Sequence, residues 1–142
     1  MLGTKNYTPQ YIHECNARIQ RALDGYRRLA GAPDEAFESS YFSNLVLLLE
    51  YFFVHRLRTV EGKEGNALNE VRILCNSILG NNSVMTTDNV ADLSAFTGLN
   101  TIKLSPERSV LKYRPGDSIR LTQADFVRLS EAFFAEMERK FG

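Results

Sequence analysis

Phe42-Ser43-Asn44-Leu45-Val46-Leu47-Leu48-Leu49-Glu50-Tyr51-Phe52-Phe53-Val54-His55-Arg56-Leu57-Arg58-Thr59-Val60, followed by the polar turn Glu61-Gly62-Lys63-Glu64-Gly65-Asn66, decides the fold of this chain. No Gly or Pro interrupts Asp34 to Val60, so the stretch predicts one helix of roughly 25 residues, about 37 Å long at about 1.5 Å per residue. Phe42, Leu45, Val46, Leu49, Phe52 and Phe53 form one broad stripe, while Leu47, Leu48, Tyr51 and Val54 cover much of the rest. Such a helix needs neighbours on several sides, as the central rod of a bundle or half of a dimer interface has.

Beyond the polar turn, Asn66 caps a helix expected over Ala67 to Leu79, and Gly80-Asn81-Asn82 ends it. Leu68, Val71, Leu74, Cys75 and Ile78 share its inward face, which leaves Asn69, Arg72 and Asn76 in a polar row elsewhere. Towards the N-terminus, Thr8-Pro9 opens a first helix: Thr accepts from an unpaired amide, and Pro suits the first helical position. Ile12, Cys15, Ile19, Ala22, Tyr26 and Leu29 then recur at three- and four-residue steps to about Ala30, where Gly31-Ala32-Pro33 breaks the helix.

On the C-terminal side, Ser83 to Asn100 has little periodicity and reads as a loop with a short helical turn over Val90 to Phe96. Ile102-Lys103-Leu104 and Ile119-Arg120-Leu121 each alternate apolar with basic, which predicts two half-exposed strands able to pair antiparallel. Between them Pro106 to Leu111 forms a turn of helix, and Arg114-Pro115-Gly116-Asp117 has Pro and Gly where a tight turn wants them. Thr122-Gln123-Ala124-Asp125 resembles a capping box, and Phe126, Leu129, Phe133, Met137 and Phe141 repeat down one side of the last helix. The expectation is a mainly α single domain over residues 1–142: a helical bundle of four principal helices with a small antiparallel two-stranded β element before the C-terminal helix.

Composition narrows function by exclusion. The 142 residues are 44% hydrophobic and 24% charged, near the globular average. Their 17 basic and 17 acidic side chains cancel, so no overall field draws the chain towards polyanions. Met1 to Gln10 lacks the basic-then-apolar order of a signal peptide, and the run Leu45 to Val54 is too short to span a bilayer, so a cytoplasmic location is expected. Cys15 and Cys75 have no metal-ligand spacing and read as buried free thiols. Neither a metal nor a cofactor is expected.

Two constellations carry candidate chemistry. Gly62-Lys63-Glu64-Gly65 between two helices looks like the turn of KH domains, where glycine lets the backbone approach a nucleic acid and lysine meets a phosphate. Against it stand Glu61 in a usually apolar position, an over-long preceding helix and no first strand; an αα corner solvated by charges explains the same residues. The second constellation is His55 with Arg56, Arg58, Lys63, Asn66, Asn69 and Arg72, a polar cluster at the end of the bundle with Glu61 nearby. Histidine suits proton transfer near neutral pH and arginine suits carboxylate or phosphate, so these seven are the candidate ligand-binding residues. The bland alternative is a set of surface ion pairs with Glu61, Glu64 and Glu70. Glu50, alone in the apolar run, needs an arginine partner or a place at the bundle surface. The chain carries no phosphate-binding Gly-Lys loop, no Gly-x-Ser-x-Gly elbow and no Cys-x-x-Cys pair, and His13-Glu14 lacks the second histidine of a zinc-protease helix.

Phe53-Val54-His55-Arg56, Glu61 to Arg72, Ser109-Val110-Leu111-Lys112-Tyr113-Arg114 and Asp117-Ser118-Ile119-Arg120-Leu121-Thr122 resemble a small single-domain family of actinobacterial proteins of unknown function. The resemblance implies a bacterial, cytoplasmic source and nothing about mechanism. From the residues themselves, the leading expectation is a non-enzymatic binding or scaffold domain that forms a homodimer through the aromatic faces of the second or the C-terminal helix. A nucleic-acid binder using the Gly62–Gly65 turn with Lys63, Arg56, Arg58 and Arg72 is one alternative, and an enzyme centred on His55 is the other.

Overall fold

The computed structural model describes residues 3–29, 31–86 and 102–142. Their fold is mainly helical: α1 Pro9–Arg27, α2 Glu35–Phe52, α3 Arg58–Glu61, α4 Ala67–Gly80 and α5 Gln123–Phe141. The expected short turn over 90–96 lies outside the described residues. Caps close the helices much as the sequence indicates. The Thr8 hydroxyl accepts from the Tyr11 amide at 3.1 Å, while Asn66 with Asn69 and Thr122 with Asp125 form reciprocal capping boxes.

The second helix, expected from Asp34 to Val60, is two pieces. α2 stops at Phe52, and residues 53–57 turn outward to a short α3, although no Gly or Pro marks the break. Two interactions hold it. The Thr4 amide donates to the His55 carbonyl at 2.7 Å and the Leu57 amide to the Thr4 carbonyl at 2.9 Å, a parallel bridge supplied by a segment far away in sequence. The turn also swings Arg56 into the interior, where its side chain has no exposed surface. Tertiary bonding has overridden local helix propensity.

The antiparallel two-stranded element is not formed among the described residues, and its absence corrects the sequence reading. Each expected strand has found a different backbone partner: Lys103 donates to the Lys63 carbonyl at 2.8 Å, and Ile119 donates to the Ser83 carbonyl at 2.8 Å. Their alternation reports burial on one side, since Ile102, Ile119 and Leu121 are all buried, rather than pairing with one another. The turn between them does form: Asp117 donates to the Arg114 carbonyl at 3.0 Å, with Gly116 at φ 94°.

α4, not α2, is the most enclosed helix. It packs between α2 and α5 and buries Leu68, Val71, Ile73 and Leu74 together with the polar Asn69, Glu70 and Ser77. α5 spends its whole aromatic face inside, with Phe126, Phe133, Phe134 and Phe141 buried. α2 buries Phe42, Val46 and Leu49, and Phe53 just beyond it lies edge-on to Tyr7, Tyr11 and Phe134. The opposite side of α2 stays open, with Tyr51 72% exposed. No helix of the described residues is long and apolar enough to cross a membrane.

Candidate functional site

Two places on the molecule gather chemistry: a buried ionic network where the α3–α4 turn meets α5, and an apolar groove beside α2. The network centres on Glu61, whose side chain is 0% exposed. Arg56 Nε donates to its Oε1 at 2.9 Å, Arg72 donates to both of its oxygens, and Asn69 Nδ2 donates to Oε2 at 2.8 Å. Arg56 also reaches Glu50 through Nη2 at 2.9 Å, and Arg72 lies 3.6 Å from the same carboxylate. Two arginines and two glutamates thus form a neutral quartet, and Glu50 finds the arginine partner that its place in an apolar run requires.

The remaining donors are also used internally. Arg56 gives its other contacts to the carbonyls of Phe53 and Leu68 at 3.1 and 3.4 Å, and its guanidinium carbon sits 6.0 Å from the Phe133 ring centroid. Asn69 Oδ1 accepts from the amides of Gly65 and Asn66, which pins the turn. From α5, Lys140 Nζ bridges the Glu61 carbonyl at 2.9 Å and the Glu64 carboxylate at 2.7 Å. Burial pushes the Glu61 carboxyl up, but the hydrogen bond from Arg72, the Arg56 charge and Asn69 outweigh it and hold the group below its ordinary 4.5. Glu64 is lowered to about 2, chiefly by Lys140 and then by Asn66. Glu70 moves the other way: burial raises it against the backbone amides of Val110 and Leu111, which its carboxylate accepts at 2.7 and 3.0 Å.

Of the seven candidate residues, the structure brings Arg56, Asn66, Asn69 and Arg72 together around Glu61, where their polar atoms serve the chain itself. His55 is exposed on the outer side of the turn after α2, Arg58 and Lys63 are partly buried, and none of the three joins the Glu61 carboxylate. Gly62 and Gly65 take the positive φ values of 82° and 94° that the corner needs. The second of them is covered: a Cβ at Gly65 would lie 2.6 Å from the Lys103 carbonyl oxygen. The chain's own 102–104 segment therefore occupies the side of the turn on which a KH-like approach would rely. Sequence reasoning placed Glu61 beside the cluster as an ion-pair partner but missed that it is buried at the centre, and it missed Lys140 as a member. The available signal was Glu61 itself, a charge at a position the pattern reserves for an apolar residue. Among the described residues, no group of three or more His, Cys, Asp or Glu could hold a metal ion.

The groove adjoins the network, since Glu50 belongs to both. Leu47, Leu48, Tyr51 and Val54 from α2 and its closing turn, with Cys75 and Leu79 from α4, surround a space of about 470 Å³. Leu79 is 74% exposed and Tyr51 72%. Cys75 at its floor is buried, its thiol pushed up by burial and donating to the Val46 carbonyl at 3.6 Å; that environment suppresses thiolate chemistry. No protein-family profile, curated protein or solved structure matches the chain.

Proposed function

We propose that the chain is a non-enzymatic binding domain that works by self-association, with the outer side of α2 and the adjoining end of α4 as the surface that meets a second copy. One observation carries this reading: after the bundle has closed, Tyr51 and Leu79 remain nearly three-quarters exposed beside Leu47, Leu48 and Val54. A contiguous apolar patch left outside a satisfied core marks an interaction surface. α5 makes no such offer, since its aromatic face is spent in the core, so α2 is the better of the two dimer faces that the sequence put forward.

The ionic network supports the reading from the other direction. A quartet whose charges cancel and whose donors are used internally rigidifies the corner and leaves the groove walls fixed in place. Sedimentation velocity at high micromolar concentration should give a dimer, and Tyr51→Glu or Leu79→Glu should shift it to a monomer without loss of helical circular dichroism, because both side chains point away from the core. A strict monomer for the unaltered chain at that concentration would remove the reading.

A further inference from the structure

α2 carries a second stripe on its outer side. Phe37, Ser40, Asn44, Leu47, Tyr51 and, in the closing turn, Val54 follow one another at alternating three- and four-residue steps, the spacing of a helix–helix seam. All six are exposed or half-buried, whereas Phe42, Val46, Leu49 and Phe53 are buried on the opposite side. The stripe is graded: small and polar in its first half, large and apolar in its second, with Asn44 between.

Beside the small half lies a cleft of about 700 Å³, lined from α2 by Ser39, Ser40, Ser43 and Asn44 and closed by Ile78 and Ile119. Ser43 is only 9% exposed, yet among the described residues its hydroxyl makes no hydrogen bond, not even to the carbonyl one turn earlier that helical serines commonly use. Ser43 is nine-tenths buried as a residue, but its hydroxyl is open to the cleft and has no partner among the described residues, which leaves it free to meet a partner group. The large half supplies a fitting group: Tyr51 projects into solvent with a hydroxyl at its tip.

Resting on the self-association proposed above, we infer that two copies pair through α2 antiparallel about a two-fold axis, with Tyr51 of each copy seated in the serine cleft of the other. The antiparallel seam sets Tyr51 against the partner's Ser40, Leu47 against the partner's Asn44, and Phe37 against the partner's Val54, so every large side chain meets a smaller one. Tyr51 then delivers its hydroxyl to the partner's Ser43. Charge fits the same orientation. Asp34, Glu35 and Glu38 lie at the start of α2. Antiparallel pairing keeps these acidic turns at opposite ends of the seam and opposes the helix dipoles. A parallel seam instead stacks Tyr51 on Tyr51 and sets the acidic turns against each other.

Orientation is read by disulfide trapping, since only side chains that face each other can be bridged. Chains carrying Ser40→Cys and chains carrying Tyr51→Cys are mixed under mild oxidant, and Asn44→Cys with Leu47→Cys repeats the test nearer the axis with the Tyr51 knob intact. In each pair the mixed disulfide should dominate, with loss of the link when Tyr51 or Ser40 is left unaltered. Self-linked Tyr51→Cys chains as the main product, or a dimer by sedimentation that gives no mixed link in either pair, overturns the antiparallel seam and leaves self-association standing. A strict monomer of the unaltered chain at high micromolar concentration ends both.

Discussion

Glu61 shows what a single residue does in this fold. Its carboxylate is fully enclosed and receives donors from Arg56, Asn69 and Arg72, so removing it leaves two guanidinium groups at the edge of the core with only the Glu50 carboxylate between them. Breaking a buried ion pair from one side costs about 3–5 kcal/mol, most of it the penalty on the charge left behind. Glu61→Ala should therefore lower the unfolding free energy by about 3–5 kcal/mol in urea titrations. Arg56→Met combined with Glu61→Leu, which removes both charges and keeps volume, should cost less than the sum of the two single changes. Additive losses in that cycle would show that the pair is not coupled.

At the scale of elements, the turn between α3 and α4 joins the two halves of the chain. Gly65 sits at φ 94° directly against the Lys103 carbonyl, and Arg108 donates to the Glu64 carbonyl at 2.9 Å. Gly65→Ala adds a strained φ, worth about 1–3 kcal/mol, and forces the 102–104 segment off the turn. The expected readout is a Tm drop together with faster amide exchange at Lys103, whose N–H bonds Lys63 across that contact; unchanged exchange there would mean that the segment is not held by the turn. The same elements show how far sequence reaches. α1, α4 and α5 were legible because each carries its own cap and a period of three to four in its apolar residues. The break after Phe52 was not, because the bridge to Thr4 and the inward turn of Arg56 are tertiary events that leave no local mark. Ile102 to Leu104 and Ile119 to Leu121 alternate as strands do, yet alternation records only that one side is buried and says nothing about which backbone pairs with which. For the network, four of its members were visible as a polar cluster with Glu61 nearby, while the burial that makes Glu61 its centre was hidden because a buried glutamate and a solvated one are written with the same letter.

For the whole molecule, the carboxylates set how stability follows pH. Glu61 and Glu64 have folded values below their ordinary 4.5, so the folded state holds its protons less tightly than the unfolded chain does. Their contribution is complete above about pH 4.5 and is lost as pH falls through the folded values, near 2 for Glu64. Glu70 works in the opposite sense: its raised folded value means that its contribution declines as pH rises through 4.5. Taken together, these three groups make stability fall as pH drops below about 4.5 and, through Glu70, decline as pH rises above it. Urea unfolding at fixed protein concentration, which keeps any dimer contribution constant, should show the free energy dropping between about pH 4.5 and pH 2.5. Glu64→Gln or Lys140→Met should flatten that acid limb, modestly, because the Glu64 side chain is half exposed and salt screens it. Glu70→Gln should remove the decline on the neutral side and leave the acid limb in place. An acid limb identical in Glu64→Gln and the unaltered chain, or a neutral-side slope untouched by Glu70→Gln, would separate these carboxylates from the pH response of the fold.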